Sequence, residues 1–143
     1  MVLAMVKEIV RQHNQLDVFY RKPETMKNLS SDVGKWLRER RGLVLVAEID
    51  GKVIGYVRGS LGKPHYFARE SEVIAYVDDL LVNKQYRRQK IGEQLLVALL
   101  KWFRSRKVTT VMLYVDVRND SAIKFWERMG FSKFTLRMKR DLL

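Results

Sequence analysis

The chain has 143 residues, of which 47% are apolar and 31% are charged, with 28 Lys and Arg, 16 Asp and Glu, two His and no Cys. This length and composition allow a core to be buried, so we expect a single domain over residues 1–143. The lack of Cys excludes a disulfide framework and a thiol nucleophile, and two His argue against a metal site. No apolar run reaches the roughly 20 residues of a membrane span. We therefore expect a soluble, cytoplasmic protein with no membrane partner.

The positive charge is concentrated in one stretch. Between residues 84 and 107 eight basic side chains are accompanied by one acid, Glu93, so this stretch carries more than half of the net charge of +12. Such a field attracts anions, for example a phosphorylated cofactor, a nucleic acid or an acidic partner. A basic surface that only faces solvent is the alternative interpretation.

Helical spacing of apolar residues dominates the first forty residues. It predicts a first helix over about 2–20, which Pro23 interrupts. A second helix is predicted from about Glu24 to Arg40, with a break near 28–32, and Gly42 is expected to end it.

Strand patterns follow. Residues 43–49 and 52–57 predict a β-hairpin, because Asp50-Gly51 suits a tight type I′ turn. A polar loop leads to a third predicted strand at about 73–82.

The second half alternates between helix and strand. One apolar face predicts a helix from Ile91 to about Arg106, and the residues from Thr110 to Val117 have the pattern of a buried central strand. Asn119 or Asp120 is expected to cap a short helix over 121–129, which Gly130 ends. A final strand is predicted at about 132–140. The strand–helix–strand unit predicts one parallel strand pair in an otherwise antiparallel sheet, with helices on its faces, which is an α/β or α+β sandwich.

The turn between the third strand and the next helix carries the strongest chemical signal. The free amides of a first helical turn, together with the helix dipole, form an anion site. Arg87, Arg88 and Lys90 add charged donors there, and Gly92 allows a close approach of ligand to backbone. The stretch is neither a P-loop nor a dinucleotide fingerprint, since the required glycines are absent. It indicates a site for a phosphate or diphosphate.

Two motifs in this half occur together. The strand end Leu80-Leu81-Val82 precedes the pair Tyr86-Arg87 and the segment Arg87-Arg-Gln-Lys-Ile-Gly92. Downstream, Asn119, Ala122, the aromatic pair Phe125-Trp126 and Gly130-Phe131 follow in order. In both motifs, and in the order of elements from about residue 43 onward, the sequence resembles the GNAT superfamily of acyl-CoA-dependent N-acetyltransferases.

The resemblance implies a GNAT-like fold and the transfer of an acetyl group from acetyl-CoA to an amine. In such enzymes the amine attacks the thioester directly in a ternary complex. Main-chain groups of Leu81 and Val82 would hold the pantetheine arm, with one amide polarising the thioester carbonyl. The amides from Arg88 to Glu93 would wrap the diphosphate. The positions assigned to the cofactor are Leu80, Leu81, Val82, Arg87, Arg88, Gln89, Lys90, Ile91, Gly92, Glu93, Asn119 and Trp126.

Three features depart from the family pattern. Lys90 replaces the first glycine of the motif, so it either points outward to the phosphates or weakens the site. Trp126 occupies the place of the tyrosine that often protonates the leaving thiolate, and an indole cannot deliver that proton. Water or another side chain would then act as the acid, or the thiolate would leave unassisted. The family's opening strand is also missing, since the sequence begins within the first helix.

The catalytic base is less clearly marked. Asp78 and Asp79 end the apolar strand, where a carboxylate can take the amine proton, and strand alternation is expected to point them to opposite faces. Asp78 is the better candidate, because Asp79 also fits a structural role. Glu72, Glu48 and the loop residue His65 are weaker candidates. Tyr66 and Phe67 could line an acceptor pocket or, as aromatic residues, anchor the loop. Tyr114 and Trp102 are expected in the core or half-buried at its margin.

Several alternatives stay open at this point. The acceptor can be a protein or peptide N-terminus, a lysine or a small amine. The chain can instead be a basic nucleic-acid- or ribosome-associated binding module, although no RNA-reading aromatic pattern supports it. A degenerate member that binds CoA without turnover and a homodimer are further alternatives.

Overall fold

The computed structural model describes residues 1–16, 19, 21–63 and 67–143. The β-strands form one sheet in the order β1-β2-β3-β4, in which β1, β2 and β3 are antiparallel neighbours and β3 and β4 run parallel. This arrangement confirms the predicted fold class. In chain order the elements are α1 (Val2–Leu16), a 3-10 turn (Pro23–Thr25), α2 (Leu29–Trp36), β1 (Gly42–Ile49), β2 (Lys52–Leu61), β3 (Ile74–Val82), a second 3-10 turn (Lys84–Tyr86), α3 (Ile91–Ser105), β4 (Thr110–Met112) and α4 (Asp120–Arg128).

Helices cover both faces of the sheet. On one face, here the α1 face, Met5 and Val6 of α1 and Val33 of α2 pack on Tyr56 and Leu81. On the opposite face, here the α3 face, the apolar side of α3 packs on the alternate strand residues, with Leu99 and Phe103 fully buried. β1, β2 and β3 therefore present apolar residues to both faces, and the end of β3 is held between two helical layers.

Two glycines are required by the local geometry. Asp50 and Gly51 both have positive φ, 49° and 75°, which is the backbone that a type I′ hairpin turn needs and confirms that turn. Gly59 lets α3 approach β2, because a Cβ there would lie 2.6 Å from Cζ of Phe103.

The helical region before the hairpin is shorter than the sequence predicts. The expected helix over 24–40 is a 3-10 turn at Pro23–Thr25 followed by α2, which ends at Trp36. Gly42 does not end that helix but begins β1, where its chain lies close to the carbonyl oxygen of Gly59. The first helix ends at Leu16 in the described part, and Asp17, Val18 and Tyr20 lie outside the described residues.

Two predicted strands are wrong in extent. The strand expected over 110–117 ends at Met112, since β3 and β4 separate beyond that residue, and Tyr114 is 78% exposed rather than in the core. The strand expected over 132–140 does not form: residues 132–143 are mostly exposed and join no sheet within the described part of the chain. Trp102 does pack against the core, as expected.

In the described ranges, no helix is both long and apolar enough to cross a membrane. The same ranges contain no cluster of three or more His, Cys, Asp or Glu side chains that could hold a metal ion.

Candidate active site

The parallel strands β3 and β4 pair over three residues only and then separate. Ile74, Ala75 and Tyr76 face Thr110, Val111 and Met112, whereas β3 continues alone to Val82. From Val77 onward β3 therefore has one edge without a neighbouring strand, among the residues that the structure describes. An unpaired strand edge presents main-chain donors and acceptors in a row, and an extended ligand can bind them as another strand would.

The register with β2 decides which residues of β3 face this gap. The amide of Asn83 donates to the carbonyl oxygen of Ile54 at 2.8 Å, so Asn83 and Ile54 form a hydrogen-bonded pair of the β2–β3 ladder. In an antiparallel ladder every second pair is hydrogen-bonded, so the next hydrogen-bonded pair is Tyr56 and Leu81. The main-chain groups of Leu81 are thus directed to β2. Those of Leu80 and Val82 point into the gap, so the pair facing the gap is Leu80 and Val82 rather than Leu81 and Val82.

A β-bulge shapes the middle of β3. Arg58 faces Asp79 while the next residue, Gly59, faces Val77, which leaves Asp78 as the extra residue. Asp78 interacts with Ser60 and Arg58, and Asp79 with Tyr56 and Arg58, so both carboxylates lie on the α1 face. The expectation that alternation separates them is wrong, because the bulge interrupts the period of two.

The basic turn before α3 has the backbone of an anion site. Arg88 and Lys90 both adopt left-handed conformations, with φ of 61° and 60°. Lys90 is the N-cap of α3 and makes no side-chain capping bond, and the amides of Ile91, Gly92 and Glu93 belong to the first turn, which has no carbonyl partners within a helix. Left-handed residues in a turn before a helix can direct successive N–H groups toward one point, where an anion binds. A lysine thus adopts the conformation for which the family pattern has glycine.

Gly92 lies between this turn and the open edge of β3. A Cβ on Gly92 would be 3.7 Å from a side-chain carbon of Val82, 3.7 Å from Phe125 and 3.8 Å from Leu80, all ordinary contacts. The Cα–H of Gly92 is thus directed at the place where α3, α4 and β3 meet. Nε of Arg87 donates to the carbonyl oxygen of Val82 at 3.0 Å, which connects the turn to the same strand end.

On the α1 face, where the two strands separate, lies a cavity of about 470 Å³, here called the acceptor cavity. Its lining consists of Arg58, Tyr76, Val77, Asp78 and Tyr114. The Tyr76 and Tyr114 rings are stacked, with centroids 6.1 Å apart and planes within 7° of parallel. Burial, followed by the neighbouring Tyr114, raises the pKa of Tyr76, which keeps its phenol protonated.

Asp78 is the carboxylate of this cavity. Its side chain is 24% exposed, and burial raises its pKa above the ordinary value of 3.8, against the opposing effect of Ser60 and Arg58. Glu39 raises that pKa further, because two negative charges disfavour each other. A carboxylate that is accessible and has a raised pKa is a suitable proton acceptor.

Arg58 connects the charges around the cavity. Its guanidinium lies 3.9 Å from Asp78, 3.9 Å from Glu39 and 4.1 Å above the Trp36 ring. Each such contact contributes only about 0–1 kcal/mol, so the arginine is positioned by several weak contacts rather than by one strong ion pair. Together with Asp79, three carboxylates lie around Arg58, and of these Asp78 lines the acceptor cavity.

Asp79 is more enclosed than Asp78. It lies below α1 beside Tyr56, Arg58 and His13, and burial raises its pKa. Burial and the charge of Asp79 in turn raise the pKa of Tyr56. Asp79 does not line the acceptor cavity, and its surroundings suit a residue that anchors α1 to the sheet.

Glu72 connects the beginnings of the two parallel strands. Its carboxylate accepts hydrogen bonds from Thr109 at 2.7 Å, Thr110 at 2.8 Å and Arg69 at 2.8 Å. These bonds lower the pKa of Glu72 to about 2. A carboxylate held in this way is a poor base, so Glu72 joins β3 to β4 instead of accepting a proton.

The remaining candidate bases lie elsewhere. Glu48 is on β1, at the opposite edge of the sheet from β4, which separates it from the gap. His65 and Tyr66 lie outside the described residues, and Phe67 is exposed.

In the second motif, Asn119 and Trp126 make contacts that stabilise α4. Oδ1 of Asn119 accepts a hydrogen bond from the amide of Ala122 at 3.3 Å and so caps α4, so that Asn119 is the cap of the two expected candidates, Asn119 and Asp120. The Trp126 indole packs edge-on against Phe125 and Phe131, with centroids 5.0 and 5.4 Å away. Trp126 therefore supports α4 through aromatic packing.

A larger hollow of about 840 Å³ lies between α1 and the strand end. It borders Val82 and Arg87 but none of residues 88–93. The anion site is thus formed by the main chain of the turn and is separate from this hollow.

The fold, the open edge of β3 and the turn before α3 define an acyltransferase-type scaffold, and comparison with known proteins identifies the class. The model of the acetyltransferase (GNAT) family matches residues 7–131. The chain belongs to the GNAT family.

Relatives extend this result. An N-alpha-acetyltransferase of Sulfurisphaera tokodaii is 31% identical over 101 residues, 68% of this chain and 60% of that protein. N-acetyltransferase 8 of Homo sapiens is 33% identical over 104 residues, 72% of this chain and 44% of that protein. The chain thus spans less than two thirds of the length of these curated relatives.

Solved structures share the fold. A tetramutant of the BH1408 protein from Bacillus halodurans superposes with a TM-score of 0.87 at 21% identity, covering 99% of this chain and 92% of that one. The aminoglycoside N-acetyltransferase AAC(6')-Iy in complex with CoA superposes with a TM-score of 0.69 at 16% identity, covering 84% of this chain and 90% of that one.

Sequence reasoning misses most of the acceptor cavity. It gives no role to Glu39 or Arg58, places Tyr76 only within a strand and assigns Tyr114 to the core. No local motif marks these residues, because they come from four separate segments of the chain. The one signal in the sequence is the charged Arg58 within a mostly apolar strand.

Proposed function

We propose that the chain binds acetyl-CoA in the gap between β3 and β4 and transfers its acetyl group to an amine in the acceptor cavity. The observation that carries the proposal is the continuation of β3 beyond its last pair with β4. It leaves an open main-chain edge that runs from Asp78 to the turn before α3. The cofactor, its thioester and the acceptor amine would then all lie along this edge of β3.

The main chain would bind the cofactor. The amides of Ile91, Gly92 and Glu93, with the left-handed Arg88 and Lys90, suit a diphosphate. The pantetheine arm would follow the open edge at Val82 and Leu80. The amide of Leu80, nearest the bulge, would polarise the thioester carbonyl as its oxygen becomes negative.

Asp78 would act as the general base. The amine nitrogen attacks the carbonyl carbon, the new N–C bond forms as the C–S bond breaks, and Asp78 takes the ammonium proton directly or through a water molecule. Its raised pKa brings it closer to that of the amine than an ordinary aspartate. Asp79, enclosed below α1, would hold the strand in place.

The leaving thiolate would take its proton from Tyr114 or from water. Trp126 cannot supply it, because an indole N–H donates hydrogen bonds but does not give up its proton. Tyr114 lines the acceptor cavity and its exposed phenol can regain a proton from solvent.

We expect the acceptor amine to be protonated, and therefore a cation, when it binds. Asp78 lines the cavity, and Glu39 and Asp79 lie around the same guanidinium, that of Arg58, whereas the chain as a whole is strongly basic. A protonated amine is therefore attracted to this cavity more than to any neighbouring basic surface.

Titration calorimetry with acetyl-CoA and with a random oligonucleotide, each at two salt concentrations, tests the binding part. We expect acetyl-CoA to bind with weak salt dependence and the oligonucleotide to bind weakly and to dissociate as salt is raised. Oligonucleotide binding without acetyl-CoA binding would contradict the proposal and favour the nucleic-acid module.

A thiol-release assay with a panel of amines tests the chemistry. Peptides with free N-termini, lysine peptides and small amines are the three acceptor classes to compare. Release of CoA that depends on one class identifies the acceptor. Tight acetyl-CoA binding with no release above the hydrolysis background for any class would indicate a binder without turnover.

A further inference from the structure

The acceptor cavity is lined by two charged side chains of opposite sign, Arg58 and Asp78. Their closest atoms, Nη1 of Arg58 and Oδ2 of Asp78, lie 3.9 Å apart. A hydrogen bond between a guanidinium and a carboxylate is shorter, at about 2.7–2.9 Å. The two groups therefore attract each other, but neither uses the hydrogen-bonding capacity of the other.

The guanidinium of Arg58 has no close polar partner in the described part of the chain. Its distance to Glu39 is also 3.9 Å, and its third neighbour, Trp36, offers the face of a ring. By contrast, the more exposed Arg69 lies 2.8 Å from Glu72. The Arg58 side chain is only 18% exposed, so its five N–H donors are held in position with little solvent around them.

These donors border a space in which a ligand can reach them. Within the residues that the structure describes, no nitrogen of Arg58 is among the buried polar atoms that lack a hydrogen bond. Its unbonded nitrogens are therefore accessible, and the space that Arg58 borders is the acceptor cavity. A planar guanidinium with unbonded N–H groups binds a carboxylate through two parallel hydrogen bonds.

An α-amino acid carries the two charges that this arrangement suits. Its ammonium and its carboxylate are bonded to the same carbon atom, each through a bond of about 1.5 Å. Glu39 and Asp79 do not line the cavity, so a ligand there meets one positive and one negative side chain. With the carboxylate on Arg58 and the ammonium on Asp78, each charge lies beside one of opposite sign. A simple amine or a peptide N-terminus lacks this carboxylate and leaves the Arg58 donors unpaired, which costs binding free energy.

The rest of the cavity is largely aromatic. Tyr76 and Tyr114 present stacked rings to it. Rings of this kind bind an apolar side chain through a large contact area. The volume of about 470 Å³ lies within the range of about 300–1,000 Å³ that is typical of small-molecule sites.

We propose that the acetyl acceptor is a free α-amino acid with an apolar side chain, whose carboxylate Arg58 binds while its amine faces Asp78. This inference rests on the proposed acetyl transfer and narrows the acceptor to one class. Asp78 takes the proton of the ammonium, the new N–C bond forms as the C–S bond breaks, and the thiolate takes a proton to leave as CoA. Arg58 takes no part in these bond changes and determines specificity.

Matched substrates on the natural chain test the proposal first. Leucine, leucinamide and isopentylamine share one side chain and differ only at the carboxylate, as do phenylalanine, its amide and phenethylamine. In at least one series we expect kcat/KM for the free amino acid to exceed that for its amide and its amine by about 100-fold or more. A carboxylate raises the pKa of an adjacent ammonium, so the amide has the amine that is more easily deprotonated. A preference for the acid therefore reports recognition by the cavity.

Variants of Arg58 test whether this residue recognises the carboxylate. In Arg58→Met the ratio of kcat/KM for the amino acid to that for its amine should fall by about 30-fold or more, chiefly through KM. Arg58→Lys keeps the charge without the planar fork and should give an intermediate ratio. The control Lys101→Met removes a positive charge from the exposed side of α3, on the opposite face of the sheet, and should keep the natural ratio. Assays are run well above the acid limb, because Arg58 lowers the pKa of Asp78 and its removal raises that pKa.

The outcomes separate this inference from the proposed function. CoA release with the amines or amides that matches or exceeds release with the amino acids keeps the acetyltransferase and overturns the amino-acid acceptor. A leucine–aspartate dipeptide amide that is a better substrate than leucine overturns it too, because the carboxylate would then belong to a peptide side chain.

An unchanged ratio in Arg58→Met, in a protein whose near-ultraviolet spectrum shows that it is folded, also overturns the proposal. If that variant does not fold, Arg58→Lys and the substrate series on the natural chain decide the question. CoA release with none of the amines, amides or amino acids would contradict the proposed function itself and this inference with it.

Discussion

The two ends of the proposed active site consist of different chemical groups, main-chain amides at one end and side chains at the other. The turn before α3 uses main-chain amides and left-handed residues within one short segment. The acceptor cavity uses side chains from β2, from β3 and from the segment after β4, and Glu39 beyond α2 contacts its Arg58. The first depends on backbone conformation and tolerates many side chains. The second depends on individual charges. The turn should therefore be sensitive to added bulk and charge, and the cavity to removal of single groups.

Replacing the proposed base should have the largest effect. Asp78→Asn keeps the shape and volume of the side chain but removes the proton acceptor. We therefore expect kcat to fall by about 10²- to 10⁴-fold. Acetyl-CoA affinity should be unchanged, because Asp78 lies on the α1 face and not in the turn. Steady-state kinetics and calorimetry on the same preparation measure both. An unchanged kcat would assign the proton transfer to another group.

At the turn, Gly92→Glu should weaken acetyl-CoA binding by at least about 100-fold, because it adds a negative charge beside the proposed diphosphate. Gly92→Ala is the matched control, since a Cβ there makes only ordinary contacts at 3.7 Å and beyond. The alanine variant should fold and bind far better than the glutamate variant. Equal affinities for the two variants would place the cofactor elsewhere.

The charge of Glu39 should tune the pH dependence. Asp78 works as a base only when deprotonated, so kcat falls as pH drops through its pKa. Glu39 raises that pKa, and Glu39→Gln should shift the acid limb to lower pH by less than about one unit. Glu48→Gln removes the same charge at the far edge of the sheet and should leave the profile in place. A shift to higher pH, or equal shifts in both variants, would contradict this arrangement.

The smallest effect concerns the left-handed lysines. Lys90 and Lys107 have φ of 60° and 58°, and replacing either by glycine should stabilise the fold by up to about 1 kcal/mol, since a left-handed backbone costs other residues about 1–2 kcal/mol. Lys90→Gly should in addition lower acetyl-CoA affinity, by less than about tenfold, if the ammonium contacts phosphate. Lys107→Gly should leave acetyl-CoA affinity unchanged. Denaturant melts and calorimetry distinguish the two, and identical affinities would mean that Lys90 points away from the cofactor.

Local sequence patterns predict most of the fold because most elements are set locally. The Asp50-Gly51 turn, the apolar face of α3 and the Asn119 cap each depend on a few neighbouring residues, and all three form as expected. The prediction of a strand at 132–140 fails for a physical reason: its pattern specifies a strand, but a strand needs a neighbour, and no pattern within the segment reveals whether its own chain provides one.

The same distinction holds for the site. The turn from Arg87 to Glu93 is recognisable because its chemistry lies within one segment, although nothing in the sequence indicates the left-handed Arg88. The bulge at Asp78 escapes sequence reasoning, since a bulge depends on the register with β2 and not on the residues Asp78 and Asp79 alone. Simple alternation therefore assigns the two carboxylates to opposite faces. Glu39 and Tyr114 come to the cavity region only through tertiary packing.

Amide chemical shifts followed during a CoA titration would test the central claim most directly. We predict that the amides of Leu80 and Val82, together with those of Ile91–Glu93, shift strongly and become protected from exchange, while that of Leu81 stays in its ladder with β2. Shifts confined to residues lining the hollow beneath α1, or a response at Leu81 greater than at its two neighbours, would contradict the proposed binding edge.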